Sequence, residues 1–158
     1  MPQLVKGGKY VFGWTSVKDD ISIRIPDEAF EEYDLANCDS VILISGSRAS
    51  GGFSLCAKDS IIGSKIGKRV IATLNYLEDS DTFTSGVLEA VHSGDRWMSW
   101  TMIKAEKSIA LSKELIDLMS LGVGSKLLVA RGSGLGSAFI AKGPIFKEAK
   151  KHSGIIEY

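Results

Sequence analysis

The hydrophobic and polar positions alternate most regularly at Ile21, Ile23 and Ile25, which are separated by Ser22 and Arg24. That period of two predicts a strand with one buried face, and Pro26 ends it. Pro26 also suits the start of a helix, and Asp27 and Glu28 follow it where acids favour a helix N-terminus. Ala29, Phe30 and Tyr33 then form an apolar face opposite Glu31, Glu32 and Asp34. A helix of about two turns is expected there, held by packing rather than by propensity. Ahead of it, residues 9–17 are rich in β-branched and aromatic types and predict another strand. Past Leu35 and a turn at 37–40, the unbroken apolar run 41–44 has strand length, 45–52 is a loop of small residues, and 53–57 returns as a strand. Residues 45–52 therefore read as a hairpin tip.

The same order of elements recurs 86 residues later, with Pro26 matched by Ser112. The offset runs without a gap from Trp14/Trp100 to Ala57/Gly143 and gives ten identities, where chance at ordinary residue frequencies gives roughly three. Trp14/Trp100, Lys18/Lys104, Ile23/Ile109, Glu28/Glu114, Gly46/Gly132 and Phe53/Phe139 are among them. A tandem duplication follows. Residues 9–59 are the first repeat, 60–94 a connector, 95–144 the second repeat, and 145–158 a basic segment and tail. Within the connector, 70–74 predicts a strand, 78–85 is polar, and 87–91 is short and apolar. Residues 145–152 have acceptable helix propensity, and Ile155, Ile156 and Tyr158 give the tail an apolar end that should dock.

The step I-x-I-P-x-E, a short helix, then a V-x-L strand resembles the AbrB/SpoVT-like swapped-hairpin family. In the first copy the matching residues are Ile23, Ile25, Pro26, Glu28, Phe30, Leu35, Asp39, Val41 and Leu43; in the second they are Ile109, Leu111, Glu114, Ile116, Leu121, Ser125, Leu127 and Val129. The resemblance implies a β-rich α+β fold in which two copies interleave hairpins into one pseudo-twofold β-barrel, with a short helix per repeat. A unit of about 50 residues buries too little surface to stand alone and would leave sheet edges open, which agrees. MraZ-like proteins are built as such a tandem, and the expectation here is their arrangement without their D-x-x-x-R signature. The implied function is DNA-binding transcriptional regulation. The implied assembly is an intramolecular pseudo-dimer that could oligomerise further.

Charge qualifies that implication. Lys and Arg balance Asp and Glu at 19 each, which argues against a strong non-specific polyanion binder. Glu31, Glu32 and Asp117 occupy the helix positions where the family commonly carries basic residues. The DNA-binding candidates are Lys6 and Lys9 in the N-terminal arm, Arg24 on the strand, and Lys18 with Lys104 in matching turns, the one basic pair kept in both copies. Solubilising surface charge is the competing reading of each.

The hairpin tips are the other candidate. Runs of Gly and Ser let main-chain N–H groups converge on an anion, and arginines add charge. Ser47, Arg48, Gly51 and Gly52 in the first tip, and Arg131, Ser133 and Gly134 in the second, are the anion-binding candidates. The competing reading is that small residues only permit a tight turn. A non-enzymatic small-anion or protein-interaction module on the same barrel is therefore the alternative function. The glycines at 132, 134 and 136 lead into apolar strand, not the helix a dinucleotide site needs. Residues 63–69 fall one residue short of a P-loop. Cys38 and Cys56 read as free thiols, and His92 and His152 give no metal-ligand spacing. No catalytic residue, metal or cofactor is expected. The lack of a long apolar run and of a signal-peptide pattern sets the expectation of a cytoplasmic protein with no membrane partner.

Overall fold

A computed structural model describes residues 10–38, 40–57, 60, 91–93, 96–132 and 136–158. Most of the connector, with the expected strand at 70–74 and the polar stretch 78–85, lies outside the described residues.

The strands are β1 (Val11–Ser16), β2 (Ser22–Arg24), β3 (Ser40–Ser45), β4 (Phe53–Ala57), β5 (Val91–Ser93), β6 (Arg96–Lys104), β7 (Ser108–Ala110), β8 (Lys126–Arg131) and β9 (Gly136–Ile140). The helices are α1 (Asp27–Glu32), α2 (Lys113–Leu118) and α3 (Pro144–Lys150). Eight strands run in the order β1-β8-β9-β4-β3-β6-β7-β2, every pairing between these strands is antiparallel, and β5 adds to β6. The ends of that path meet at the turn between β1 and β2, where the Lys18 N–H donates to the Ser22 carbonyl at 2.9 Å. The result is a β-rich, nearly closed antiparallel barrel.

Each half pairs its strands with the other half. Thr15 of β1 faces Leu127 of β8, and Val41 of β3 faces Thr101 of β6; a shift of 86 residues turns one pair into the other. Ile23 of β2 faces Ile109 of β7, and Phe53 of β4 faces Phe139 of β9, so these pairs are their own images under that shift. A bulge between Val11 and Gly13 interrupts the match in β1.

Strand alternation explains the core. Ile23, Leu43, Leu55, Ile109, Leu127, Val129 and the stacked rings of Phe53 and Phe139, 4.7 Å apart, fill the barrel together with the buried faces of α1 and α2. The alternate residues point outward. On one side Val11, Trp14, Leu128, Ala130 and Ile140 are covered by Ile145, Phe146 and Ala149 of α3, with Phe146 edge-on to Trp14 at 5.1 Å. On the other, Trp100 packs on Ile42, Ile44, Cys56 and Met98. The two equivalent tryptophans thus face outward into separate clusters, not into the barrel core.

The two halves start their helices differently. Ser112 accepts a hydrogen bond from the Leu115 N–H at 3.2 Å and caps α2, a contact worth about 1 kcal/mol. Pro26 holds the matching place before α1 and offers no side-chain cap. α1 ends at Glu32, and Leu35 opens a 3-10 turn at Leu35–Asn37. The tail docks as expected: the Trp14 N–H donates to the Ile156 carbonyl and the Tyr158 N–H to the Trp14 carbonyl, each at 2.8 Å.

Candidate functional site

Two regions gather the candidate residues. The first is the outward face of β6, β7 and β2. Ile23 and Ile109 turn inward, so their neighbours turn out. Lys104 lies opposite Ser108, and Ser108 opposite Arg24, which sets the three in one row; Lys18 and Ser22 form the next. Lys18, Arg24, Ser22 and Ser108 share a shallow depression of about 490 Å³ with Asp19, Asp20 and Glu106. Lys6 and Lys9 lie outside the described residues.

The charges on this face are largely matched. Asp27 accepts from Arg24 at 3.2 Å and from Lys107 at 3.1 Å, and the Lys107 hydrogen bond leads in holding its carboxyl below the ordinary carboxylate range. Asp20 is also lowered, chiefly by the Ser22 hydroxyl at 2.6 Å. The tail covers part of the surface. Lys18 donates to the main-chain oxygen of Tyr158 at 3.2 Å, and the Arg24 guanidinium lies 5.5 Å from the centre of the Tyr158 ring. Lys18, Arg24, Lys104 and Lys107 therefore stand against Asp19, Asp20, Asp27 and Glu106. The sequence pattern missed Lys107 because its partner in the first copy is Ile21; both take positive φ, 57° and 58°. The D-x-x-x-R spacing, not expected in this chain, is in fact met once, by Asp20 and Arg24; the second copy has Glu106 and Ala110 there.

The second region is the tip between β3 and β4. Arg48, Gly51 and Gly52 line a cavity of about 440 Å³ with Lys142, Trp97 and residues at the end of α2. Ser47 faces away from this cavity, into a smaller apolar one beside α3. The tip is bonded within itself. The Gly46 N–H donates to the Gly52 carbonyl at 3.0 Å, the Gly51 N–H to the Ser47 carbonyl at 2.8 Å, and the Ser47 and Ser50 hydroxyls meet at 2.8 Å. The Gly46 and Gly51 N–H groups thus serve the turn, while the side chains of Arg48 and Lys142 lie at the cavity's edge.

Arg131 does not join this arrangement. It lies at the end of β8, its guanidinium forks onto the Glu32 carboxylate with Nε at 2.9 Å, and it covers the Tyr10 ring at 4.7 Å. Glu32 raises the Arg131 pKa further. Ser133 and Gly134 lie outside the described residues. Lys142 and Trp97 were missed because the repeat comparison sets them against Cys56 and Val11, which share nothing with them.

Among the described residues, neither region is lined by a cysteine or a histidine. Cys56 is buried and its thiol is pushed up to about 11 by that burial, which makes it a poor nucleophile. Among the described residues no cluster of His, Cys, Asp and Glu could hold a metal ion, and no helix is long and apolar enough to cross a membrane. No family model matches the chain, and no curated protein matches it.

Proposed function

We propose that the protein is a DNA-binding regulator of AbrB/SpoVT type, built from two swapped-hairpin repeats in one chain. The observation that carries this reading is the register between the halves, in which the β1–β8 pairs Gly13–Ser16 become the β3–β6 pairs on a shift of 86 residues. Lys18, just past β1, and Lys104, at the end of β6, hold equivalent positions beside the self-paired Ile23 and Ile109. Two related cations about a pseudo-twofold axis suit the two related backbones of a duplex, as half-sites suit dimeric readers. Because carboxylates match the cations of this face, affinity comes from a few placed contacts rather than from a broad positive field.

Fluorescence anisotropy with random and genomic duplexes, at low and at physiological salt, tests this. Two phosphate contacts correspond to a slope of about −2 in log affinity against log salt. Replacing Lys18 and Lys104 together by alanine should weaken every duplex alike and flatten that slope. Absence of binding at low salt, or a double variant that binds as the parent does, would reject the reading.

A further inference from the structure

We infer that the segment Ile155–Tyr158 is a displaceable strap that competes with the duplex for Lys18, Arg24 and Lys126. The inference rests on the DNA-binding reading and supplies the regulation of that same face. β1 and β2 are the two ends of the sheet path, so among the described strands β1 is paired along one edge only, by β8. The strap takes the other edge as a short parallel bridge between Trp14 and Glu157. From there it engages three cations. Glu157 pairs with Lys126, the Tyr158 main-chain oxygen accepts from Lys18 at 3.2 Å, and the Tyr158 ring centre lies 5.5 Å from the Arg24 guanidinium. The same ring rests on Gly13, where a Cβ would come within 2.7 Å of it. A carboxylate, a carbonyl oxygen and an aromatic ring in succession offer these cations what a nucleic acid strand offers, namely anionic oxygens and flat rings.

The contacts are those of a reversible cover. Ile156 is 49% exposed, and residues 151–154, which lead into the strap, are all exposed. The Lys126–Glu157 pair is open to solvent on both sides, and such pairs hold weakly. Main-chain hydrogen bonds tie the strap to β1 through Trp14 alone. The strap also leaves Arg24 incompletely served. The Arg24 Nε is buried without a hydrogen-bond partner among the described residues, and a phosphate oxygen would supply one. Lys104, the equivalent of Lys18 in the other half, takes part in none of these contacts. A closed strap therefore leaves the duplex one of the two related cations, and apparent affinity falls with the fraction of chains that are open.

Measurements on the full chain with and without DNA separate the strap from the reading it rests on. Without DNA, the Trp14 amide, which donates to the Ile156 carbonyl, should exchange with deuterium about a hundredfold faster than the amides of β8, at a rate insensitive to low urea. With saturating duplex, the Tyr158 amide resonance should move to its free-chain position. Tyr158→Ala should tighten duplex binding by about tenfold. A synthetic peptide of residues 153–158, at millimolar concentration, should displace duplex from that variant. The same peptide carrying Tyr158→Ala has equal charge and should displace less. A Trp14 amide as slow as those of β8, a Tyr158 amide unmoved at saturation, or a Tyr158→Ala chain that binds duplex as the parent does would overturn the strap alone. Failure of both chains to bind any duplex at low salt would overturn the strap together with the DNA-binding reading.

Discussion

Gly52 and Gly51 stand side by side in the first tip with nearly the same positive φ, 62° and 61°, yet their surroundings differ. A Cβ on Gly52 would lie 1.9 Å from the Phe139 carbonyl oxygen, while one on Gly51 would meet the Ala141 Cβ at 3.4 Å and the Lys142 side chain at 3.5 Å, ordinary contact distances. Gly52→Ala should therefore cost about 2 kcal/mol or more, and Gly51→Ala about 1 kcal/mol, in urea unfolding. A second prediction concerns acid. Tyr10 donates to Glu28 at 2.7 Å and leads in lowering its carboxyl, as Lys107 does for Asp27. Carboxylates with lowered folded values add stability above the unfolded range, about pH 4, and lose it as pH falls through those lower values. The urea midpoint should drop through that window, and Tyr10→Phe should make the drop shallower. Single residues were legible where their surroundings are local, as with Pro26 ahead of α1. Arg131 was not, because its partner Glu32 lies 99 positions away in the chain.

Strands and helices followed the hydrophobic pattern closely, because alternation and the Pro26/Ser112 punctuation are local signals. The pairing within the hairpins was less legible. Ser45 lies opposite Phe53, but its equivalent Arg131 lies opposite Ser137 rather than Phe139. The second hairpin has slipped by two residues, the smallest slip that keeps the same side chains on the buried face, so Phe139 still stacks on Phe53. The sequence repeat shows both hairpins but is blind to a slip that leaves the pattern intact. The tail is the other element whose docking site is non-local. Gly13 permits its approach, since a Cβ there would lie 2.7 Å from the Ile156 carbonyl oxygen. Deleting residues 155–158 removes two main-chain hydrogen bonds to Trp14 and should cost about 2 kcal/mol. It should also tighten duplex binding, because Lys18 and Arg24 lose their cover. Melting curves and anisotropy on the same variant check both effects.

At the scale of the molecule, the division into two repeats describes the sequence better than the structure. Neither half closes a sheet, since β1 pairs with β8 and β3 with β6. Two polypeptides cut within the connector should each lack stable structure and regain the parent's circular dichroism when mixed; a half that folds alone would contradict the interleaved strand order. The barrel was legible because the duplication implied two half-barrels with open edges. The candidate cavity was not, because it exists where the halves differ, and a repeat read from its identities draws attention to what they share.

The same strand order sets a timetable for synthesis. Val11 of β1 finds its partner in Ala130. At ordinary translation rates the ribosome needs roughly ten seconds to make the chain between them. Through that time the apolar segment VFGWTS is outside the tunnel with its hydrogen-bonding edge unanswered. Holding chaperones that favour such segments, rather than any property of the finished barrel, should govern how much of this protein a cell recovers.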